Sequence, residues 1–491
     1  MTALVLRGCQ VVTMDAGRAE YASGYIAIDG NRIAAVAAGQ VPDDLADGRV
    51  IDASGCVATP GLVNTHHHLY QWATRGRAVD STLFQWLTEL YPVWARIDER
   101  IVLDAATAAL AWLARTGCTT TTDHHYVFPR GAGDVLGATV AAARDVGLRF
   151  HPTRGSMDLG ASSGGLPPDE VVEDIDSILA ATEKAISSFH DPEPGSMLRM
   201  GVAPCSPFSV TGELMRAAAG LARDRGVRLH THIAETADES DFCAERFGCT
   251  PVEYLESLGW LADDVWLAHA VHLDDAGIAR LAATGTGVAH CPSSNARLGA
   301  GICRTADLLV AGVPVGLGVD GAASNEESSL LGEAREAVLM ARAIGGPQAL
   351  TVRQSLELAT LGGARLIGRA DEIGSLEAGK LADIALWRLD GLAHADIADP
   401  VAALVLGARP PLELLIVNGE TVVERDEVVT VDERHAAAVA VRAASTLREK
   451  PWAACRQPGD TACSAEFRHS RSNSVFAMLE VRLRPRRTAG W

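Results

Sequence analysis

No stretch of this chain comes near the roughly 20 consecutive apolar residues that span a bilayer, although 48% of its 491 residues are hydrophobic. Transmembrane helices are not expected, and the apolar content is enough for more core than one domain usually holds. Positive charge is also short: 43 Lys and Arg against 62 Asp and Glu leave a formal net charge of −19. That balance argues against duplex nucleic acid or an anionic membrane as a partner and says little about small neutral ligands. The ten cysteines include no Cys-x-x-Cys pair and no regular framework, so they read as reduced thiols. Residues 1–8 lack the charged and apolar regions of a secretion signal, and a cytoplasmic protein is expected. No Gly-x-x-x-x-Gly-Lys-Ser/Thr loop is present to cradle a phosphate. The His-x-Glu and Pro-Cys-x-x-Cys signature of zinc deaminases acting on cytidine is missing in both its parts.

What is present is a change of texture along the chain. Residues 1–55 alternate apolar and polar residues between turns, and Asp29-Gly30-Asn31 reads as a hairpin. Residues 374–440 repeat the texture, with Asn418-Gly419 as a second hairpin signal. The two ends are expected to build one composite β-sandwich domain. Residues 56–373 instead alternate short β-branched runs with Ala/Leu/Arg-rich stretches at helical spacing. Eight candidate strands cover 57–63, 118–123, 149–153, 198–205, 228–233, 265–269, 287–291 and 314–320. Eight βα repeats define an α/β chain with a (β/α)8 TIM-type barrel, whose functional residues gather at the carboxyl ends of the strands. Residues 441–491 are expected to hold a C-terminal helix and then a basic tail, read as disordered or appended and given no role.

The unusual residues fall at those strand ends. Strand one runs into His66-His67-His68; on a strand, residues two apart share a face, so His66 and His68 can grip one ion with His67 turned away. Strand five ends in His230-Thr-His232-Ile-Ala-Glu235, strand six in His269 and strand eight in Asp320. A single histidine or aspartate at a loop start is commonplace; four strand ends meeting at one mouth are not. His66, His68, His232 and Asp320 are assigned as ligands of one divalent metal, Zn2+ or alternatively Fe2+, with a position left for water. Glu235 and His269 are more useful as proton carriers, and Asp320 doubles as a candidate acceptor of the water's proton. His230 and His272 are read as packing or supporting groups.

Several runs resemble the amidohydrolase superfamily: Pro60-Gly-Leu-Val-Asn-Thr-His-His-His, His230-Thr-His-Ile-Ala-Glu, His290-Cys-Pro-Ser-Ser-Asn295 and Val319-Asp-Gly-Ala-Ala-Ser-Asn325. The resemblance covers about residues 1–440 and is strongest to the mononuclear aminohydrolase branch, with guanine deaminases and triazine hydrolases. Binuclear members carry a bridging Lys at the end of strand four. Here that strand, Leu198-Arg-Met-Gly-Val-Ala-Pro-Cys205, has none, which favours one metal per chain. Asp123-His-His-Tyr126, Arg154-Gly-Ser-Met157 and Ala203-Pro-Cys-Ser-Pro-Phe-Ser209 look more narrowly like bacterial 8-oxoguanine deaminases. The resemblance implies hydrolysis of the 2-amino group of a free purine base, 8-oxoguanine, to urate and ammonia. The alternatives are a hydroxyatrazine-type triazine or aminoheterocycle hydrolase and a guanine or isocytosine deaminase. A flat heterocycle needs polar partners on its edge and apolar walls on its faces. Gln71, His124 and Cys205 are the candidate edge contacts, and Trp86, Tyr91 and Trp94, in a long loop after strand one, the candidate wall or lid. A homodimer or larger homo-oligomer is compatible with the family, and no interface is legible.

Overall fold

The computed structural model describes residues 4–45 and 48–449; the basic tail lies outside them. Barrel strands 1 to 8 are Leu62–Asn64, Cys118–His125, Arg149–Ser156, Gly201–Pro204, Arg228–Ile233, Val265–His269, Gly287–His290 and Val315–Leu317. They pair in parallel and in sequence order. Nearly every residue in them is buried, as strands covered on both faces require. The seam between strands 8 and 1 closes through Thr65, whose N–H donates to Leu317 O at 3.0 Å. Beyond the seam the chain adds a two-residue ladder, His67 opposite Asp320 and His68 opposite Gly321.

Helices return the chain from one strand to the next, and their starts are encoded locally. Asp98, Asp134, Asp174, Thr211 and Thr236 each accept a backbone N–H in the first turn of the helix that follows, a cap generally worth about 1 kcal/mol. The segment after strand 1, expected as a long loop, is instead largely helical, a turn at Leu69–Thr74 and a helix at Leu83–Trp94. Pro92 sits inside that helix and masks it in the sequence.

Both ends of the chain contribute to one nine-stranded sheet. Its centre is the antiparallel pairing of Cys56–Pro60 with Ile384–Arg388. The stretch 57–63, expected as a single barrel strand, is therefore two strands: its first half belongs to this sheet and its second half to the barrel. The break falls at Gly61, where a Cβ would lie 2.1 Å from a Thr119 side-chain atom. Likewise 314–320 divides into barrel strand 8 and the short Asp320–Gly321. Leu6, Ile26, Ile28, Ile384, Leu386 and Ile416 form a core under the sheet. A buried pair ties sheet to barrel: Arg149, on strand 3, donates to both carboxylate oxygens of Asp383 at 3.1 Å. Among the described residues no helix is long and apolar enough to cross a membrane.

Candidate active site

The tautomers of the strand-end histidines follow from what their Nδ1 atoms touch. Carbonyl oxygens only accept, so His68 Nδ1, 2.7 Å from His124 O, carries a proton, as does His232 Nδ1, 2.7 Å from Cys205 O. His230 Nδ1 donates to Trp266 O at 2.8 Å, which leaves its Nε2 a lone pair when the ring is neutral. His66 Nδ1, 2.8 Å from that Nε2, is then the donor. Burial keeps the relay neutral, pushing His66 down to about 3 and His230 and His232 well below the usual imidazole range.

Three unprotonated Nε2 atoms consequently face one space. His68 Nε2 and His232 Nε2 are 3.1 Å apart, and His66 Nε2 and His68 Nε2 each lie 3.3 Å from Asp320 Oδ1. Among the described residues His66 Nε2 has no hydrogen-bond partner. Lone pairs at such separations repel unless a cation lies between them. The spacings suit one shared shell, in which ligands about 2.0–2.2 Å from an ion stand about 3 Å from one another. Burial alone would raise Asp320, but contact with His66 and His68 outweighs it and holds the carboxyl well below its usual range. Ser294 Oγ and Ser324 Oγ donate to Asp320 Oδ2 at 2.5 and 3.2 Å, so Oδ1 is the oxygen turned to the imidazoles. His124 also offers a nitrogen to the space shared by His66, His68 and His232, and His269 one to that shared by His66 and Asp320; a first-row divalent ion fits among them.

Across from this cluster stand Glu235 and His269. His269 Nδ1 contacts Asn295 Oδ1 at 2.9 Å, and its Nε2 lies 3.6 Å from Glu235 Oε2. Glu235 is 4% exposed; burial first, then the negative charge of Asp320, pushes its carboxyl well above the usual range. Ala234, His269, Ala270 and Asp320 all adopt positive φ, between 48° and 71°. Non-glycine residues there store about 1–3 kcal/mol each and persist only where surrounding contacts hold them. The strain collects where three strands deliver their side chains.

The structure brings His66, His68, His232, Asp320, Glu235 and His269 to one cleft, whose empty space including its open mouth is about 380 Å³. Gln71 and Cys205 line it. Gly321 makes room for Gln71, since a Cβ there would lie 1.8 Å from Gln71 Oε1. Burial pushes the Cys205 thiol up to about 12, so it stays a neutral edge group. Trp86 and Tyr91 form the wall; Trp94 does not. It is fully buried behind them, its Nε1 bonded to Thr74 Oγ1 at 3.1 Å. His124 is likewise displaced from its expected place: it stacks on His232 at 4.8 Å and donates Nε2–H to Ala203 O, under the imidazoles rather than on the cleft wall. His67 turns from the others and accepts the His68 N–H at its Nδ1. Tyr126, Phe208, Leu298 and Ser324 also line the cleft and were not singled out. Asn295 and Ser324 lie in runs that carry the family resemblance, the one signal that could have found them.

Comparison with known proteins agrees with this geometry. Residues 57–422 match the amidohydrolase family, and the chain belongs to that family, hydrolases acting on carbon–nitrogen bonds. It is 46% identical to the 8-oxoguanine deaminase of Pseudomonas aeruginosa over 85% of this chain and 94% of that one. It is 38% identical to an isoxanthopterin deaminase of an unknown prokaryotic organism, over 78% of this chain and 84% of that one. The zinc complex of atrazine chlorohydrolase from Arthrobacter aurescens superposes with a TM-score of 0.86 at 36% identity, covering 90% of this chain and 100% of the other.

Proposed function

We propose that the enzyme hydrolyses the amine-bearing carbon of a free oxidised purine, converting 8-oxoguanine and water to urate and ammonia. The observation that carries the chemistry is the set of three Nε2 lone pairs and Asp320 Oδ1 turned to one point, with the neutral acid Glu235 facing them. His66, His68, His232 and Asp320 would hold one divalent metal, Zn2+ as in the triazine relative or Fe2+. When bound, such an ion lowers the pKa of a coordinated water towards about 7 and makes a nucleophile available at neutral pH.

The protein's own residues supply the rest. Glu235 gives its carboxyl proton to the ring nitrogen beside the amine-bearing carbon, then carries the water's proton to the departing amine. His269 Nε2 orients the attacking oxygen from the Glu235 side. Asp320, its Oδ2 steadied by two hydroxyls, receives what proton remains. Gln71 and the Cys205 thiol meet polar edges of the base, and Trp86 and Tyr91 cover its faces. The 46% relationship to an 8-oxoguanine deaminase supports the substrate. The eight described cysteines are all free, which fits a cytoplasmic enzyme. A net charge of −19 gives nucleic acid and anionic membranes no part in this reading, and a homo-oligomer stays within it.

The test is amine release: ammonia from 8-oxoguanine, guanine, isoxanthopterin and isocytosine, and an alkylamine from hydroxyatrazine. The highest kcat/KM is expected with 8-oxoguanine. A preference for hydroxyatrazine would establish the triazine-hydrolase reading, which the atrazine-enzyme likeness favours. Glu235→Gln should lower kcat at least about 1,000-fold, within the usual range for a lost acid–base group, while metal content stays near one per chain.

A further inference from the structure

Glu239 lies in the first turn of the helix Ala237–Phe247, fully buried, and does not line the cleft. Its two carboxylate oxygens accept the N–H groups of consecutive residues, Ala234 at 2.7 Å and Glu235 at 3.0 Å. A glutamate at this helix position ordinarily reaches back to the N–H of the cap residue itself. Here the cap is Thr236, and Glu239 reaches past it to the two residues before. That is the point where the chain leaves barrel strand 5, with Ala234 at φ 50°. From the other side Ala234 O accepts the N–H groups of His272 and Val271 at 2.8 and 3.0 Å.

The turn that carries Glu235 is thus clamped on both faces. The side chain's aim across 3.6 Å to His269 Nε2 depends on that backbone. A neutral cap such as Ser or Asn offers one acceptor atom; the carboxylate gives each of the two adjacent N–H donors an oxygen of its own. Leaving either donor unpaired in this buried place would cost about 1–3 kcal/mol. We infer that Glu239 is a positioning residue for Glu235: it fixes the backbone from which the proton carrier reaches into the cleft, without touching substrate. The inference rests on the role given to Glu235 above.

Its test is a double-mutant cycle on the metal-loaded enzyme. Glu239→Ala should lower kcat about 100-fold, the cost typical of misplacing a reacting group by about 1 Å, with KM changed less than about threefold. Metal content should stay near one per chain. Glu239→Gln, which keeps one acceptor, should recover part of the loss. In the residual activity of Glu235→Gln, measured at high enzyme concentration, adding Glu239→Ala should cost nothing more, because the two act as a unit. A folded, metal-loaded Glu239→Ala enzyme with wild-type kcat would overturn the inference. So would a full further loss in the Glu235→Gln background. If the Ala variant does not fold, the Gln variant runs the same cycle. Should Glu235→Gln itself keep full turnover, the acid–base assignment fails instead, an outcome distinct from these.

Discussion

Among single residues, His230 shows how a group remote from the chemistry sets it. Its Nε2 decides which nitrogen of His66 carries the proton. His230→Phe keeps the ring that stacks on Trp266 at 4.5 Å and removes the acceptor. Metal affinity, read by competition with a chelator, should fall about 10–100-fold, as is usual on losing such a supporting bond; unchanged affinity would refute the relay. The proton-carrying role proposed for Glu235 implies a pH response. A carboxyl raised above its usual range is protonated, and able to donate, below that raised value and loses the proton above it. kcat/KM should therefore fall on the basic side, at a pH above the ordinary carboxyl value of about 4.3. Activity that goes on rising to pH 10 would place the proton elsewhere. The clustering of His66, His68, His232 and Asp320 was legible because two-residue spacing and strand-end position are sequence properties. The tautomers were not, since they depend on carbonyls brought from other strands. Trp94 and His124 were misplaced for a related reason: sequence marks both as near the mouth but not which face each turns to it.

For the secondary-structure elements, the helix Leu83–Trp94 is the covering of the cleft. Leu83, Trp86, Leu87 and Tyr91 present one face to it, and Trp86 Nε1 donates to Ala323 O at 3.1 Å, three residues beyond Asp320. Arg297 reinforces the same closure, donating to Ala78 O and Arg77 O at 3.0 and 3.1 Å while pairing with Glu326. Trp86→Phe retains an aromatic wall and leaves Ala323 O unpaired. KM for the substrate should rise about tenfold, near 1.4 kcal/mol, with kcat little changed. An unaltered KM would mean that this bond does not hold the cover in place. The eight-strand rhythm could be read from alternating β-branched and Ala-rich stretches, because parallel strands buried on both faces demand it. The division of 57–63 could not. Its residues are apolar throughout, and only the approach of Thr119 to Gly61 reveals where one sheet ends and another begins.

Considered as a whole molecule, barrel and terminal sheet are joined through charge as well as apolar packing. Arg149 and Asp383 are at most 2% exposed, and Asp383 Oδ1 also accepts the Asn418 N–H at 2.7 Å. Arg149→Met would strand a buried carboxylate, a loss of about 3–5 kcal/mol. The urea midpoint of unfolding should drop accordingly, and one matching the parent would mean the pair adds nothing. The hairpin signals at both ends made a composite domain foreseeable, whereas this ion pair, spanning residues far apart in sequence, left no local trace.

The pairing of Cys56–Pro60 with Ile384–Arg388 also sets a timetable. During translation the early strand emerges long before its neighbour exists, and contacts so distant in sequence form slowly. Until the ribosome has released the later strand, an apolar edge stands open to other nascent chains. That waiting edge is an aggregation-prone surface the chain carries until its distant neighbour arrives.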